Sequence, residues 1–305
     1  MKIFVTGASG FLGSALCKRL SSEGHDLLNP TSSECNLLLP NSLEAFSAKK
    51  YDTIFHLAAW TQAGDFCLKH PGEQWIKNQL LNTHVLKWWQ ESQTQAKLVF
   101  MGTSCAYSPQ SSLIETEYMD GEPIDSLYTY AMTKRMLYQG ARALSKQYGL
   151  KYLCAVPSTL YGPGYHTDGR QMHFIFDLIR KIIRGKELGE SVELWGNGHQ
   201  KREVIHIDDF INALLALNAT SENELINLGA GKEHSIREFA HWISQEVDFD
   251  ENQIIYDETK YVGAKSKCLN IDKAKLMLGD DYHLTDMSVG IKQVVQWFYK
   301  TKAYL

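Results

Sequence analysis

No apolar run in this chain approaches the ~20 residues that a membrane-spanning helix needs, so no membrane association is expected. MKIFVTGASG runs straight into a strand and a glycine turn, without the longer apolar stretch and small-residue cleavage site of a signal peptide. The six cysteines, Cys17, Cys35, Cys67, Cys105, Cys154 and Cys268, show no CxxC spacing. Their scatter argues against a zinc site, so no metal is expected, and points to reduced thiols in the cytoplasm. There is no excess of positive charge either: 31 Lys and Arg stand against 35 Asp and Glu, a formal charge of −4. That gives no electrostatic footprint for nucleic acid or an anionic membrane, although a local basic cluster still suits a phosphorylated small molecule. Internal repeats and low-complexity linkers are also missing.

What remains is ordinary globular composition, with 44% hydrophobic and 22% charged residues over 305 positions. In the first half, KIFVTG, DLLNP, YDTIFHLAA, KLVFMGTSC and KYLCAVPS read as strands. LGSALCKRLSSEG, SLEAFSAKK, PGEQWIKNQLLNTHVLKWWQES and a segment from Thr129 to Tyr148 read as helices. Strand and helix in alternation predict an α/β, Rossmann-type, doubly wound parallel sheet, because parallel strands need crossover helices. The second half is less regular. STLYGPGYHTDGRQ is a loop, MHFIFDLIRKIIRGK and DDFINALLAL are helices, and ELINLGAG, SIREFAHWISQEV and SVGIKQVVQWFYK complete a smaller α/β region. The expected division is 1–160, with 203–220 returning to it, as a dinucleotide-binding domain, and 161–202 with 221–305 as a substrate-binding region, a cleft between them.

Thr6-Gly-Ala-Ser-Gly-Phe-Leu-Gly13 follows the first strand and opens the first helix, the context that a dinucleotide fingerprint requires. Gly7 permits the tight turn, Gly10 lets backbone approach a pyrophosphate, and Gly13 lets helix and strand pack closely. The helix N-terminus offers free N–H groups to phosphate. NAD use calls for an acid at the end of the second strand and NADP use for a nearby cation. LLNPTSSE has neither at that point, and the hydroxyls and amide of Asn29, Thr31, Ser32 and Ser33 tilt the reading to NADP(H), with NAD(H) left open.

Tyr130 and Lys134 stand four apart, on one face of a helix. An ammonium there favours phenolate and is expected to bring the tyrosine toward the working range, making it a proton donor or acceptor for a carbonyl or alcohol. Tyr128 is a decoy, since position 132 is Met. With Thr103 between the glycine turn and this pair, the constellation resembles the extended short-chain dehydrogenase/reductase superfamily. The resemblance is carried by TGASGFLG, HLAA at 56–59, Thr103, YAMTK and STLYGPG at 158–164. It implies cofactor contacts from Gly7, Ser9, Gly10, Phe11, Leu12, Gly13, Asn29, Ser32, Asn36, Leu57, Ala58, Ala59, Lys134 and Pro157. Thr103 would hydrogen-bond the reacting carbonyl.

WGNGHQKREVIHIDD, SCAYSP and Met172-His173-Phe174 fit one branch of it, the GDP-L-fucose synthases, whose members join 3,5-epimerisation to 4-reduction of a 4-keto sugar. The branch's epimerisation pair falls on Cys105 and His173. Inversion alpha to a ketone removes a proton from one face and returns one to the other, which suits two groups of matched pKa. Each residue also has a plainer reading, Cys105 as packing and His173 as a solvated position. On a helical wheel His173 lies opposite the apolar face Ile175, Leu178, Ile179, Ile182 and Ile183. Thr159, Lys181, Trp195, Arg202 and Lys267 are the expected contacts to a nucleotide-diphosphate sugar, a GDP-sugar favoured. Ser9 and the PTSS stretch stand where the branch has cofactor-contacting arginines, which leaves NADP against NAD open, and Thr159, Lys181 and the GYHTDGRQ loop depart from its substrate pattern, which leaves the sugar open. A homodimer through helices around 75–90 and 129–148 is implied, with Trp88 and Trp89 as exposed candidates. The rival readings are a 4-reductase, 4-epimerase or dehydratase without 3,5-proton exchange, and a non-catalytic dinucleotide sensor.

Overall fold

The computed structural model describes residues 1–260 and 266–305. The first half runs β1 (Lys2–Thr6), α1 (Phe11–Ser22), β2 (Asp26–Leu28), β3 (Thr53–His56), α2 (Phe66–Lys69), α3 (Pro71–Ser92), β4 (Lys97–Met101), α4 (Tyr128–Tyr148) and β5 (Tyr152–Pro157). The second continues β6 (Thr159–Tyr161), α5 (Phe174–Leu188), β7 (Glu193–Trp195), β8 (Lys201–Arg202), β9 (Val204–His206), α6 (Ile207–Thr220) and β10 (Glu224–Leu228). It ends with β11 (His234–Ser235), α7 (Ile236–Val247), β12 (Ile255–Asp257), α8 (Asp272–Leu278) and α9 (Met287–Thr301).

Six strands form one parallel sheet in the order β10-β5-β4-β3-β1-β2. β3 and β4 are buried on both faces, with Ile54, Phe55, Leu98, Val99, Phe100 and Met101 as their apolar positions, as a sheet covered on two sides demands. One face carries α3 and α4, where Val85, Trp88, Trp89, Ala131, Leu137 and Ala141 pack on Phe4, Phe100 and Tyr152. The other carries α1 and α6, where Leu16, Leu20, Phe210 and Leu214 pack on Ile3, Val5 and Phe55. The chain goes from β1 out to β2, then returns past β1 to β3. The crevice at the strands' carboxyl ends therefore opens beside β1, where a doubly wound sheet binds its ligand.

The smaller region packs α5, α7 and α9 around Ile175, Phe176, Ile179, Phe239, Ile243, Val294 and Phe298. Phe11, at the start of α1, meets Tyr165 and Phe176 edge-on at 5.2 and 5.6 Å, and Tyr165 stacks on Phe176 at 3.9 Å. Across the cleft mouth the Asp65 N–H donates to Gln171 Oε1 at 3.1 Å. Two loops from different halves are thereby tied together.

Four expectations need correction. SLEAFSAKK makes only a single 3-10 turn at Glu44–Phe46, since so short a segment with little apolar face cannot offset helix nucleation. β10, assigned by sequence to the smaller region, is the sixth strand of the main sheet and pairs with β5. Trp88 and Trp89 are buried, their indole N–H groups donating to Ser47 Oγ and Ala96 O. The apolar residues that α3 exposes are Trp75, Ile76 and Leu80. Finally, α5 starts at Phe174, so His173 is its N-cap and no helical wheel fixes its direction.

Candidate active site

The glycine turn has the geometry its residues require. Gly7 adopts φ +73°, and a Cβ there would stand 2.6 Å from Ala58 N. A Cβ on Gly13 would overlap Gly7 O, so only glycine lets α1 cross this close. Gly10 is the N-cap of α1 without a side-chain cap, and the first turn holds no acid, leaving its N–H groups for an anion. Beside it lies a cavity of about 210 Å³ lined by Gly7, Ser9, Ser32, Asn36, Ala58 and Ala59 among the expected residues. Thr31, Leu37 and Trp60 line it too, which sequence reasoning did not assign to the site, or in the case of Thr31 only as a phosphate contact. Asn29 is exposed and outside that lining, and Phe11, Leu12 and Leu57 pack in the core around it. Pro157 ends β5. Among the described residues no Lys or Arg lines the cavity, and the Thr31 N–H and hydroxyl both donate to Glu34 Oε2 at 2.8 Å. The cradle thus fits a dinucleotide, with hydroxyls where a second-ribose phosphate would meet the protein.

Under the turn, Thr6 Oγ1 accepts the Ala58 N–H at 3.3 Å and bonds His56 Nδ1 at 2.8 Å, while His56 Nε2 bonds Asn82 Oδ1 at 3.0 Å. Burial holds His56 down at about 4, so it stays neutral and acts as a brace.

Thr103 lies two residues past β4, 7% exposed, and its N–H donates to the Tyr118 hydroxyl at 3.2 Å. Thr103 Oγ1 accepts the Cys105 N–H at 3.2 Å, and the same hydroxyl meets the Tyr130 phenol. Cys105 is half-buried in the 3-10 turn Ser104–Ala106. Tyr130 lies in the first turn of α4, with Lys134 one turn on. The Lys134 Nζ is 5.9 Å from the Tyr130 ring centroid. Burial raises the Tyr130 phenol, the Cys105 and Cys67 thiols add to the rise, and a hydrogen bond with Thr103 opposes it. The expected lowering by Lys134 is therefore overturned: desolvation wins, and Tyr130 is held as a phenol. Burial also brings Lys134 down to about 8, with Cys154 opposing. Thr103, Cys105, Tyr130 and Lys134 form one group, with Cys67 as a neighbour that the scattered cysteine pattern gave no means of finding.

His173 is the N-cap of α5, in the second half of the chain. Its side chain is exposed, yet the protein around it, with the nearby His166 adding, lowers its pKa and favours the neutral ring. Its ring centroid lies 6.1 Å from that of Tyr165. Thr159 begins β6, beside Val204 of β9. Lys181 reaches Glu193 O at 3.3 Å and Asp177 at 3.1 Å, close to the exposed Trp195 on the same strand as Glu193. Burial lowers the Arg202 guanidinium, with Glu233 opposing. The Lys267 backbone N–H donates to Glu233 Oε2 at 3.1 Å, so one carboxylate meets both the Arg202 side chain and the Lys267 main chain. Glu203, 5% exposed and pushed up to about 7 by burial, was missed by sequence reasoning because an acid beside an arginine reads as surface.

A dinucleotide cradle facing a buried tyrosine–lysine pair and a threonine defines a dinucleotide-dependent enzyme acting on a carbonyl or alcohol. Residues 3–229 match the NAD dependent epimerase/dehydratase family, and the chain belongs to that family. It is similar to GDP-L-fucose synthase 1 of Arabidopsis thaliana, at 30% identity over 98% of this chain and 93% of that one. It is likewise similar to GDP-L-fucose synthase of Escherichia coli (strain K12), at 27% identity over 97% and 96%. In fold it resembles a GDP-L-fucose synthetase from Naegleria fowleri bound to NADP, with a TM-score of 0.88 and 23% identity over 98% and 93% of the two chains.

Proposed function

We propose that the protein is an NADP(H)-dependent epimerase and reductase of a GDP-4-keto-6-deoxyhexose. The observation that carries this reading is the Cys105 thiol beside Thr103 and Tyr130, in a chain that matches GDP-L-fucose synthases over nearly its full length. A thiol next to the groups that hold a ketone oxygen stands near the carbons flanking that ketone. A reductase alone has no use for it.

Thr103 turns its hydroxyl proton from Tyr130 to the C4 oxygen, and Tyr130, held protonated, donates a second hydrogen bond to it. Both bonds strengthen as enolate charge develops. Neutral His173 and Cys105 act as the pair that withdraws the carbon proton and returns one to the other face. A dinucleotide held in the glycine cradle would supply hydride to C4, and Tyr130 is placed to give its proton to the alkoxide that results. Lys134 would hold the ribose and stabilise the tyrosine phenolate. Arg202 and Lys267 balance the diphosphate, Lys181 and Trp195 form the other wall, and Thr159 approaches the sugar.

The exposed Trp75, Ile76, Leu80 and Tyr128 on α3 and α4 support a homodimer through these helices. The six unpaired thiols support a cytoplasmic setting. No described helix is long and apolar enough to cross a membrane.

The test is NADPH oxidation with a panel of 4-keto-6-deoxy sugars carried on GDP, UDP, CDP and dTDP. GDP-4-keto-6-deoxymannose is expected to be consumed with the product inverted at C3 and C5. Consumption with no inversion would favour a simple 4-reductase instead.

A further inference from the structure

We propose that Glu203 is a positioning residue for the nucleotide diphosphate: its carboxylate clips the loop after β10 to the segment 266–271, and so fixes the spacing of Arg202 and Lys267. This rests on the GDP-sugar reading above and names a residue of that site. The Glu203 side chain is buried, and its two oxygens face two different loops. Oε1 accepts the Gly231 N–H at 2.7 Å, and Oε2 accepts the Leu269 N–H at 2.8 Å. The Ala230 N–H bonds the same carboxylate.

The loop is shaped around this group. A Cβ on Gly229 would overlap Glu203 Oε1. Gly231 adopts φ +61°, and a Cβ there would stand 2.5 Å from Ile271 Cδ1. The Tyr282 hydroxyl donates to Gly229 O. Two residues beyond Gly231, Glu233 accepts the Lys267 N–H and the Ser266 hydroxyl, the latter at 2.7 and 2.8 Å, and Glu233 is also the carboxylate that acts on Arg202. One buried acid thus holds the loop whose own acid faces the Arg202 guanidinium and pins the Lys267 backbone, the two candidate phosphate-binding positions. Three N–H donors on a desolvated carboxylate are a strong anchor, and an amide in its place would turn an N–H₂ toward one of those donors.

Glu203→Gln and Gly229→Ala are compared with the full-length wild type. Kd values are measured by calorimetry for GDP-mannose and for NADPH, together with amide hydrogen exchange at Gly231 and Leu269. The proposal expects exchange at both amides to accelerate, the GDP-mannose Kd to rise about tenfold, as the loss of one charge-assisted hydrogen bond implies, and the NADPH Kd to stay within twofold. The unchanged NADPH Kd shows that the variants fold. Unchanged exchange overturns the clip. Accelerated exchange with an unchanged GDP-mannose Kd overturns its role in positioning. A wild type that binds NADPH but not GDP-mannose counts against the GDP reading, while the exchange result still decides the clip.

Discussion

Replacing Lys134 with Met should make the protein more stable and almost inactive. Lys134 is 6% exposed, and its ammonium has no hydrogen-bond partner among the described residues. Burial brings its pKa from 10.5 down to about 8. A lysine whose folded pKa is depressed binds fewer protons folded than unfolded between those values. The destabilisation is therefore fully present below pH 8 and is relieved as pH rises through 10.5. At ~1.4 kcal/mol for each tenfold change in proton affinity, the fall from 10.5 to about 8 amounts to roughly 3–4 kcal/mol at pH 7. Methionine has nearly the same length, keeps the packing of the stem and carries no charge. Urea unfolding at pH 7 should place Lys134→Met ahead of the wild type by about 2–3 kcal/mol, with the gap closing toward pH 10.5. Its kcat should fall by at least about a hundredfold, because the group that stabilises the Tyr130 phenolate is gone. A variant that is equally stable or less stable at pH 7 would refute the claim that Lys134 is a strained, desolvated ammonium kept for function.

Tyr130→Phe removes the proton donor and should lower kcat for keto-sugar reduction by about 10²–10⁴ with both Kd values unchanged, as stopped-flow and calorimetry would read. Gly7→Ala combines φ +73° with a methyl 2.6 Å from Ala58 N; a loss of at least about 2 kcal/mol in chemical denaturation, and of NADPH-induced thermal stabilisation, is expected. Trp75→Glu with Ile76→Glu should convert a dimer to a monomer by sedimentation while each chain stays folded.

What the sequence made legible was local. The glycine turn is a matter of backbone sterics within a few residues, and a four-residue spacing puts Tyr130 and Lys134 on one face whatever surrounds the helix. What it hid was tertiary. The direction of the Tyr130 shift depends on burial, which no spacing reveals. On α3 the buried face includes Gln74, Asn78 and Asn82, because Gln74 bonds Thr61 and Cys67, Asn78 bonds the Trp60 backbone, and Asn82 bonds His56. A buried polar stripe blurred the pattern that would have placed Trp88 and Trp89 inside. His173 was read on a helix face although the helix begins one residue later. Glu203 gave no signal at all, since its partners are backbone amides 28 and 66 positions away.

The central claim is that Cys105, with His173, exchanges the protons flanking the ketone before any hydride moves. Its most direct test is to incubate GDP-4-keto-6-deoxymannose with enzyme in D₂O, without NADPH, and read C3 and C5 by proton NMR. Wild type should place deuterium at both carbons, Cys105→Ser should lose most of that incorporation, and the variant should still reduce a pre-epimerised substrate. Absence of deuterium at both carbons with wild type, or full incorporation with Cys105→Ser, would contradict the account.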